Sequence, residues 1–443
     1  MATSEVLEEA KPFWLAENFA PVYQETTAFN LPVTGAIPPE LNGRYFRNGA
    51  NPPFGKSVDW FFGCGMIHGV ELKNGQATWY RNRYVQTELL KEEVPSFDSQ
   101  MNIENSIANT HVIGHAGKIL ALAETSLPIE LSPELDTLGP YRFDGKLNAN
   151  MTAHPKFCPK TGEMLFFGYG LIPPYLKYYR VSASGEIVQE EQIETKGPTM
   201  MHDFSITENY VIFLDLPMVF NMDNMATTGI GLNFDEDYGA RLGVMPRGGS
   251  NKDVVWFEID PCYVYHAMNS YEEGDEVVLD ACRMVGYTSV GMKNPPLPNL
   301  WQWRMNLKTG AVSAKQLDDL GGEFPKVPDS LVGQPYRIGY LTEFGKDNPT
   351  VEAFHKYDWQ TGAKTSHRLK DGRKGGEAVF VPAAGGSAED DGYLMSFVYD
   401  PNADKSELVI LDASNIASDP VARIHLPVRV PAGFHGSWIA DPA

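Results

Sequence analysis

The chain has 443 residues, 43% of them hydrophobic and 21% charged, which suits a large ordered core and excludes a predominantly disordered protein. Lys and Arg number 36 against 57 Asp and Glu, and the resulting net charge of −21 repels phosphate backbones and anionic lipid, so nucleic acid is not expected as a partner. No run of 18 apolar residues occurs and the start, Met1 to Lys11, is acidic; a cytoplasmic protein with no transmembrane segment is expected.

In chain order, residues 1–30 read as an N-terminal extension or cap, whose acidic part is one of two helical candidates; Thr87 to Glu93 is the other. Tight-turn signals follow at Asn74-Gly75, Thr161-Gly162, Ser184-Gly185, Thr309-Gly310 and Thr361-Gly362, between short runs rich in Val, Ile, Phe, Tyr and Trp. Asn221 to Tyr238, where Met, Asn, Asp and Gly mix, reads as a long loop or lid. Val277 to Leu279, Tyr393 to Val398 and Leu408 to Leu411 are brief apolar runs of the kind that form buried strands. The pattern predicts an all-β chain of hairpins, with one domain spanning 1–443 and no linker. Cys64, Cys158, Cys262 and Cys282 are scattered, without a CxxC pair, and are expected to be small buried residues.

Several common chemistries fall away. Gly49 to Ser57 contains Gly-Lys-Ser, but Gly49 and Gly55 are one residue too far apart for a phosphate loop, and Pro52 and Pro53 interrupt its N–H groups. GxSxG, HExxH and GxGxxG are absent. Among the ten histidines, His111 and His115 lie in a Gly-rich segment that reads as a turn with exposed imidazoles, and His68 as a satisfied core residue. His355, His367 and His425 have polar neighbours and are expected to be solvated.

His154, His202, His266 and His435 each sit in or beside a strand-like segment and singly would pass as structural. Their spacing says more: the intervals are 48, 64 and 169 residues, the last close to three intervals of 56. Propeller blades repeat at about 40 to 50 residues, longer with elaborated loops, so one histidine per innermost strand would converge on the axis of about seven blades. The residues alone leave iron and zinc open as the ion.

These segments resemble the carotenoid cleavage oxygenase family from about Pro32 to Trp438. The likeness is carried by Leu41 to Gly49 (LNGRYFRNG), Gly65 to Val70 (GMIHGV), Thr152-Ala153-His154-Pro155, Met201-His202-Asp203-Phe204, Val264-Tyr265-His266 and Gly433-Phe434-His435-Gly436. The resemblance implies a seven-bladed β-propeller with a loop or helical cap over the metal face, and Fe(II) held on its axis by His154, His202, His266 and His435. It also implies carboxylates behind the imidazoles, matched by Glu124, Glu323 and Glu377. A carboxylate on the outer ring N–H of a metal-bound imidazole fixes its tautomer and raises its basicity. Three glutamates would serve three of the four histidines.

The implied activity is coenzyme-independent cleavage of a conjugated carbon–carbon double bond by O₂, giving two carbonyl products. The partners would be O₂ and an apolar conjugated small molecule, with no obligate protein partner and at most a peripheral membrane contact. Phe61, Phe204, Phe324 and Phe434 are expected to wall the substrate site. Ala123 precedes Glu124 where stilbene-cleaving relatives carry a phenol-binding lysine, which favours a carotenoid or apocarotenoid. The compact chain, without a long apolar insertion between His202 and Arg247, keeps a vinyl or propenyl phenol as the alternative. A non-catalytic, zinc-held propeller that binds other molecules is the expectation of a different class.

Overall fold

The computed structural model describes residues 11–93, 102–221, 231–286, 297–346 and 348–442. Seven antiparallel sheets follow one another along the chain as seven blades. Blade 2 holds His111–His115, Lys118–Leu122, Ile129–Leu131 and Thr137–Pro140; blade 3 holds Lys156–Phe157, Met164–Tyr169, Leu176–Val181 and Ile187–Ile193. Blade 4 runs from Ser205–Ile206 to Val255–Ile259, blade 5 from Tyr263–Glu273 to Val312–Gln316, and blade 6 from Gly322–Lys326 to Ala363–Arg368.

Both ends of the chain close the ring. The C-terminal strand Gly436–Ala440 pairs with Gly43–Arg47 as the innermost strand of blade 1, whose outer edge is Thr27–Phe29. Blade 7 starts at Val379–Pro382 and ends on Val33–Gly35, which pairs with Ala422–His425. Radial repetition leaves each blade with one short outer strand as its edge, which limits the usual hazard of antiparallel sheets.

The predicted turns are those observed. Gly75, Gly162, Gly185, Gly310 and Gly362 all adopt positive φ between 69° and 88°, the region where only glycine is unstrained. The predicted apolar runs lie in middle strands, buried on both faces between neighbouring blades, as in Gly392–Asp400 and Lys405–Asp412. An outer strand such as Ile187–Ile193 alternates between half-buried and exposed residues instead. All four cysteines are buried and free.

Some local expectations are corrected. Thr87 to Glu93 contains one 3-10 turn, Glu88–Lys91, not an α-helix; most of the acidic N-terminal candidate lies outside the described residues. Of Asn221 to Tyr238, residues 222–230 are also outside them, and the rest is ordered as a strand, Leu232–Phe234, paired with Met218–Phe220, and a 3-10 turn, Glu236–Tyr238. His355 is buried, held by Ser366 Oγ and Glu343 Oε2, because its strand is covered by the neighbouring one; it is not solvated. His367 is half-buried against the Ile416 carbonyl, and half-buried His425 contacts Thr34 and Glu407. His68 is a core residue paired with the Tyr80 hydroxyl, as expected.

Candidate metal centre

The four histidines arrive from four blades. Pro155 favours an extended His154 just before the inner strand of blade 3. His202 precedes Ser205–Ile206, where Asp203 accepts from the Phe204 and Ala267 amides and ties blade 4 to blade 5. His266 lies where Tyr263–Glu273 slips register between Val264 and Ala267. Such a bulge re-aims side chains, and it lets the consecutive Tyr265 and His266 both reach the site. His435 precedes the closing strand; a Cβ at Gly433 would stand 2.7 Å from the Asn48 carbonyl oxygen, so only glycine permits this approach.

One ring nitrogen from each histidine lies within 4.8 Å of the others. His154 Nε2 and His202 Nε2 are 3.0 Å apart, and His266 Nε2 and His435 Nε2 are 3.1 Å apart. On the outer side, His202 Nδ1 donates to Glu124 Oε2 at 2.8 Å, His266 Nδ1 to Glu323 Oε2 at 2.6 Å, and His435 Nδ1 to Glu377 Oε1 at 3.2 Å. These bonds place the protons on Nδ1 and aim the Nε2 lone pairs inward. His154 has no carboxylate partner among the described residues.

Burial, with the neighbouring imidazoles, holds His154 and His266 well below the usual imidazole range. Burial likewise brings His435 down to about 4. At His202 burial acts in the same direction, but Glu124 more than offsets it and the value is raised. Burial pushes Glu323 up to about 8. For Glu377 burial is outweighed by Lys326 and His435, which hold the carboxyl well below its ordinary value.

The donor set fits a metal ion. Metal–nitrogen bonds of about 2.1 Å put two right-angled ligands about 3.0 Å apart and two tetrahedral ones about 3.4 Å apart. The 3.0 and 3.1 Å pairs match the right-angled case. Four neutral imidazoles in that geometry leave the ion its full charge and open positions.

The expected wall residues separate into two sets. Phe324 packs against His266 and His435 with centroids 5.5 and 5.3 Å apart, and Tyr265 lies edge-on to His202 at 5.2 Å. Phe61 stacks on Phe434 at 5.7 Å and on Tyr265 at 6.3 Å, with Trp60 4.9 Å from Phe434. Phe204 does not belong with them: it is wholly buried against Phe167 in the core between blades 3 and 4. Its neighbour Asp203 uses both carboxylate oxygens on backbone amides and faces Lys156 Nζ at 2.6 Å, which orients Phe204 into the core.

His111 corrects the expectation of an exposed turn. It opens the inner strand of blade 2, donates from Nδ1 to the Ala153 carbonyl at 2.8 Å, and lies 5.3 Å from the His435 ring. The available signal was its place 43 residues before His154, one blade earlier. Lys326, 3.3 Å from Glu377 Oε1, was not anticipated either.

The family model described as "Retinal pigment epithelial membrane protein" matches residues 19–440. A carotenoid cleavage oxygenase of Mycobacterium tuberculosis is 39% identical across 99% of both chains. The chain belongs to the carotenoid cleavage oxygenase family. It is also 31% identical to the isoeugenol monooxygenase of Pseudomonas putida, over 96% of this chain and 97% of that one. The crystal structure of Pseudomonas brassicacearum lignostilbene dioxygenase superposes with a TM-score of 0.89 at 28% identity, over 97% of this chain and 98% of the other. These relatives are oxygenases and so is this chain; the non-catalytic propeller finds no support. No helix among the described residues is long and apolar enough to cross a membrane.

Proposed function

We propose that this oxygenase uses Fe(II), held by His154, His202, His266 and His435, to cleave a conjugated double bond of a carotenoid or apocarotenoid. The observation that carries it is the convergence of four imidazole nitrogens within 4.8 Å of one another, two Nε2 pairs lying 3.0 and 3.1 Å apart and three of the rings backed by Glu124, Glu323 and Glu377. Fe(II) supplies the activation of O₂ when bound. The balance needs no reductant: one C=C and one O–O bond break, and two C=O bonds form.

The chain's own residues bind and orient. Glu124, Glu323 and Glu377 keep the Nδ1 protons of His202, His266 and His435 in place so that the Nε2 atoms of these three face the ion. Phe61, Phe324 and Phe434, with Tyr265, offer flat apolar surfaces beside the imidazoles that suit a conjugated chain and exclude water.

Ala123 supports the polyene, since a methyl group offers no cation to a phenolate; it is buried beside Glu124. Lys156 and Lys326 are already committed to Asp203 and Glu377. The second substrate, a vinyl or propenyl phenol, is favoured by the likeness to lignostilbene dioxygenase and isoeugenol monooxygenase. Incubating the Fe(II)-loaded protein with β-apocarotenals, stilbenes and vinylguaiacol-type phenols, and identifying the aldehydes, tests both. Aldehydes from the polyenes alone support the first proposal and from the phenols alone the second; no aldehyde from any alkene would sink both.

A further inference from the structure

The three carboxylates behind the imidazoles are not electrostatically equivalent. Glu124 is the most exposed, its side chain 16% accessible against 5% for Glu323 and 4% for Glu377. Glu323 spends Oε2 on His266 and on the Phe324 amide, while its buried Oε1 has no hydrogen-bond partner among the described residues. Glu377 alone has a cation: Lys326 Nζ lies 3.3 Å from Oε1, the same oxygen that accepts from His435 Nδ1. Its Oε2 accepts from the Gly436 amide at 2.8 Å.

The placement of Lys326 depends on a distortion of the inner strand of blade 6. Residues 323 and 326 are an odd number apart, so a regular strand would send their side chains to opposite faces. The strand instead slips register between Glu323 and Lys326, and Phe324 adopts φ +52°, a left-handed conformation costly for a non-glycine residue. The irregularity lets Glu323 reach His266 while Lys326 reaches Glu377.

Three cations near the imidazoles, Arg47, Lys156 and Lys326, differ in their partners. Lys156 is neutralised locally by Asp203, and the Arg47 guanidinium donates to the Gly433 carbonyl. Lys326 is the cation bonded to a carboxylate that itself holds an imidazole.

We propose that Lys326 is a positioning residue that sets the charge of the metal centre. By neutralising Glu377 it limits the electron donation of His435 to the ion. The Fe(II) assignment above enters only through the charge of the ion, so the test begins with a probe that needs neither iron nor turnover.

Co(II) affinity of the metal-free protein is measured by competition titration for wild type, Lys326→Met and Lys326→Arg, with circular dichroism to show that each variant is folded. Lys326→Gln takes the place of the Met variant if that one does not fold. Removing one positive charge at this range should tighten Co(II) binding on the order of tenfold. In the iron-loaded protein the oxidation equilibrium should move towards Fe(III) by a similar factor, a midpoint potential about 59 mV lower for a one-electron couple. Lys326→Arg should restore both to near wild type. Unchanged affinity and potential in the neutral variant would overturn the proposal. So would an equal shift in Lys326→Arg, which would indicate packing, not charge. A wild-type protein that binds no Co(II) would overturn the metal centre itself.

Discussion

Phe61, Tyr265, Phe324 and Phe434 form one neighbourhood of the imidazoles, and Lys156, Asp203, Lys326, Glu323 and Glu377 form another. The charged groups sit on or beside inner strands and are held by hydrogen bonds to backbone and to one another. In the aromatic set Tyr265 and Phe324 also lie on inner strands and Phe434 beside one, but Phe61, 38% exposed, lies in the long link between Gly43–Arg47 and Met66–Lys73. The charged half is therefore built into the ring, whereas the apolar half includes a loop residue that can vary. A family whose named members differ in substrate while sharing one fold is what such a division produces.

The largest expected effects lie on the charged side. His202→Ala should abolish metal loading, read as stoichiometry by metal analysis, while the propeller keeps its circular dichroism. Full metal content in that variant would remove His202 from the centre. Glu323→Gln keeps the shape of the side chain but cannot become a carboxylate behind His266 when a cation binds, and should cost about 10–100-fold in metal affinity or activity. A loss confined to substrate affinity would place Glu323 on the wrong side of the division.

The legibility of the two halves in the sequence follows the same line. Histidines at blade-scale intervals reveal an axial site because a propeller places one inner strand per blade on its axis. In fact all seven blades contribute a residue there from their inner strand or the residues just before it, at positions 111, 154, 202, 266, 323, 377 and 435, with intervals of 43 to 64 residues. His111 was hidden by Gly114 and Gly117, which read as a turn. Gly114 is a strand residue, where a Cβ would come within 3.3 Å of Ile439 across the neighbouring inner strand. Lys326 was hidden because period-two alternation sends it away from Glu323, and a bulge leaves no mark on hydrophobic pattern. Phe204 failed in the opposite sense, since nearness to His202 says nothing about which way the next side chain but one points.

On the aromatic side, Phe61→Ala removes two stacked contacts and leaves the imidazoles untouched. Each such pair contributes about 0.5–1.5 kcal/mol. KM for the cleaved alkene should rise by about two- to tenfold with unchanged metal content. Loss of metal in this variant would show that the two neighbourhoods are coupled.

The smallest effect concerns how the aromatic loop is held. Asp59 is buried two residues before Phe61, and its Oδ1 accepts from the Phe61 amide at 3.0 Å. Burial pushes its carboxyl up to about 6, against roughly 3.9 in an unfolded chain. Between those values the folded protein holds a proton that the unfolded chain has released. Stability from this group is therefore fully present below about pH 4, falls as pH rises to about 6, and stays lost above it. Asp59→Asn keeps the carbonyl that accepts from Phe61 but has no charge to bury. Its melting temperature relative to wild type should be higher at pH 7 than at pH 4, by the equivalent of about 2–3 kcal/mol. A difference that does not change with pH would mean that Asp59 is ionised at little cost, and that the aromatic loop, like the charged side, rests on a satisfied anion.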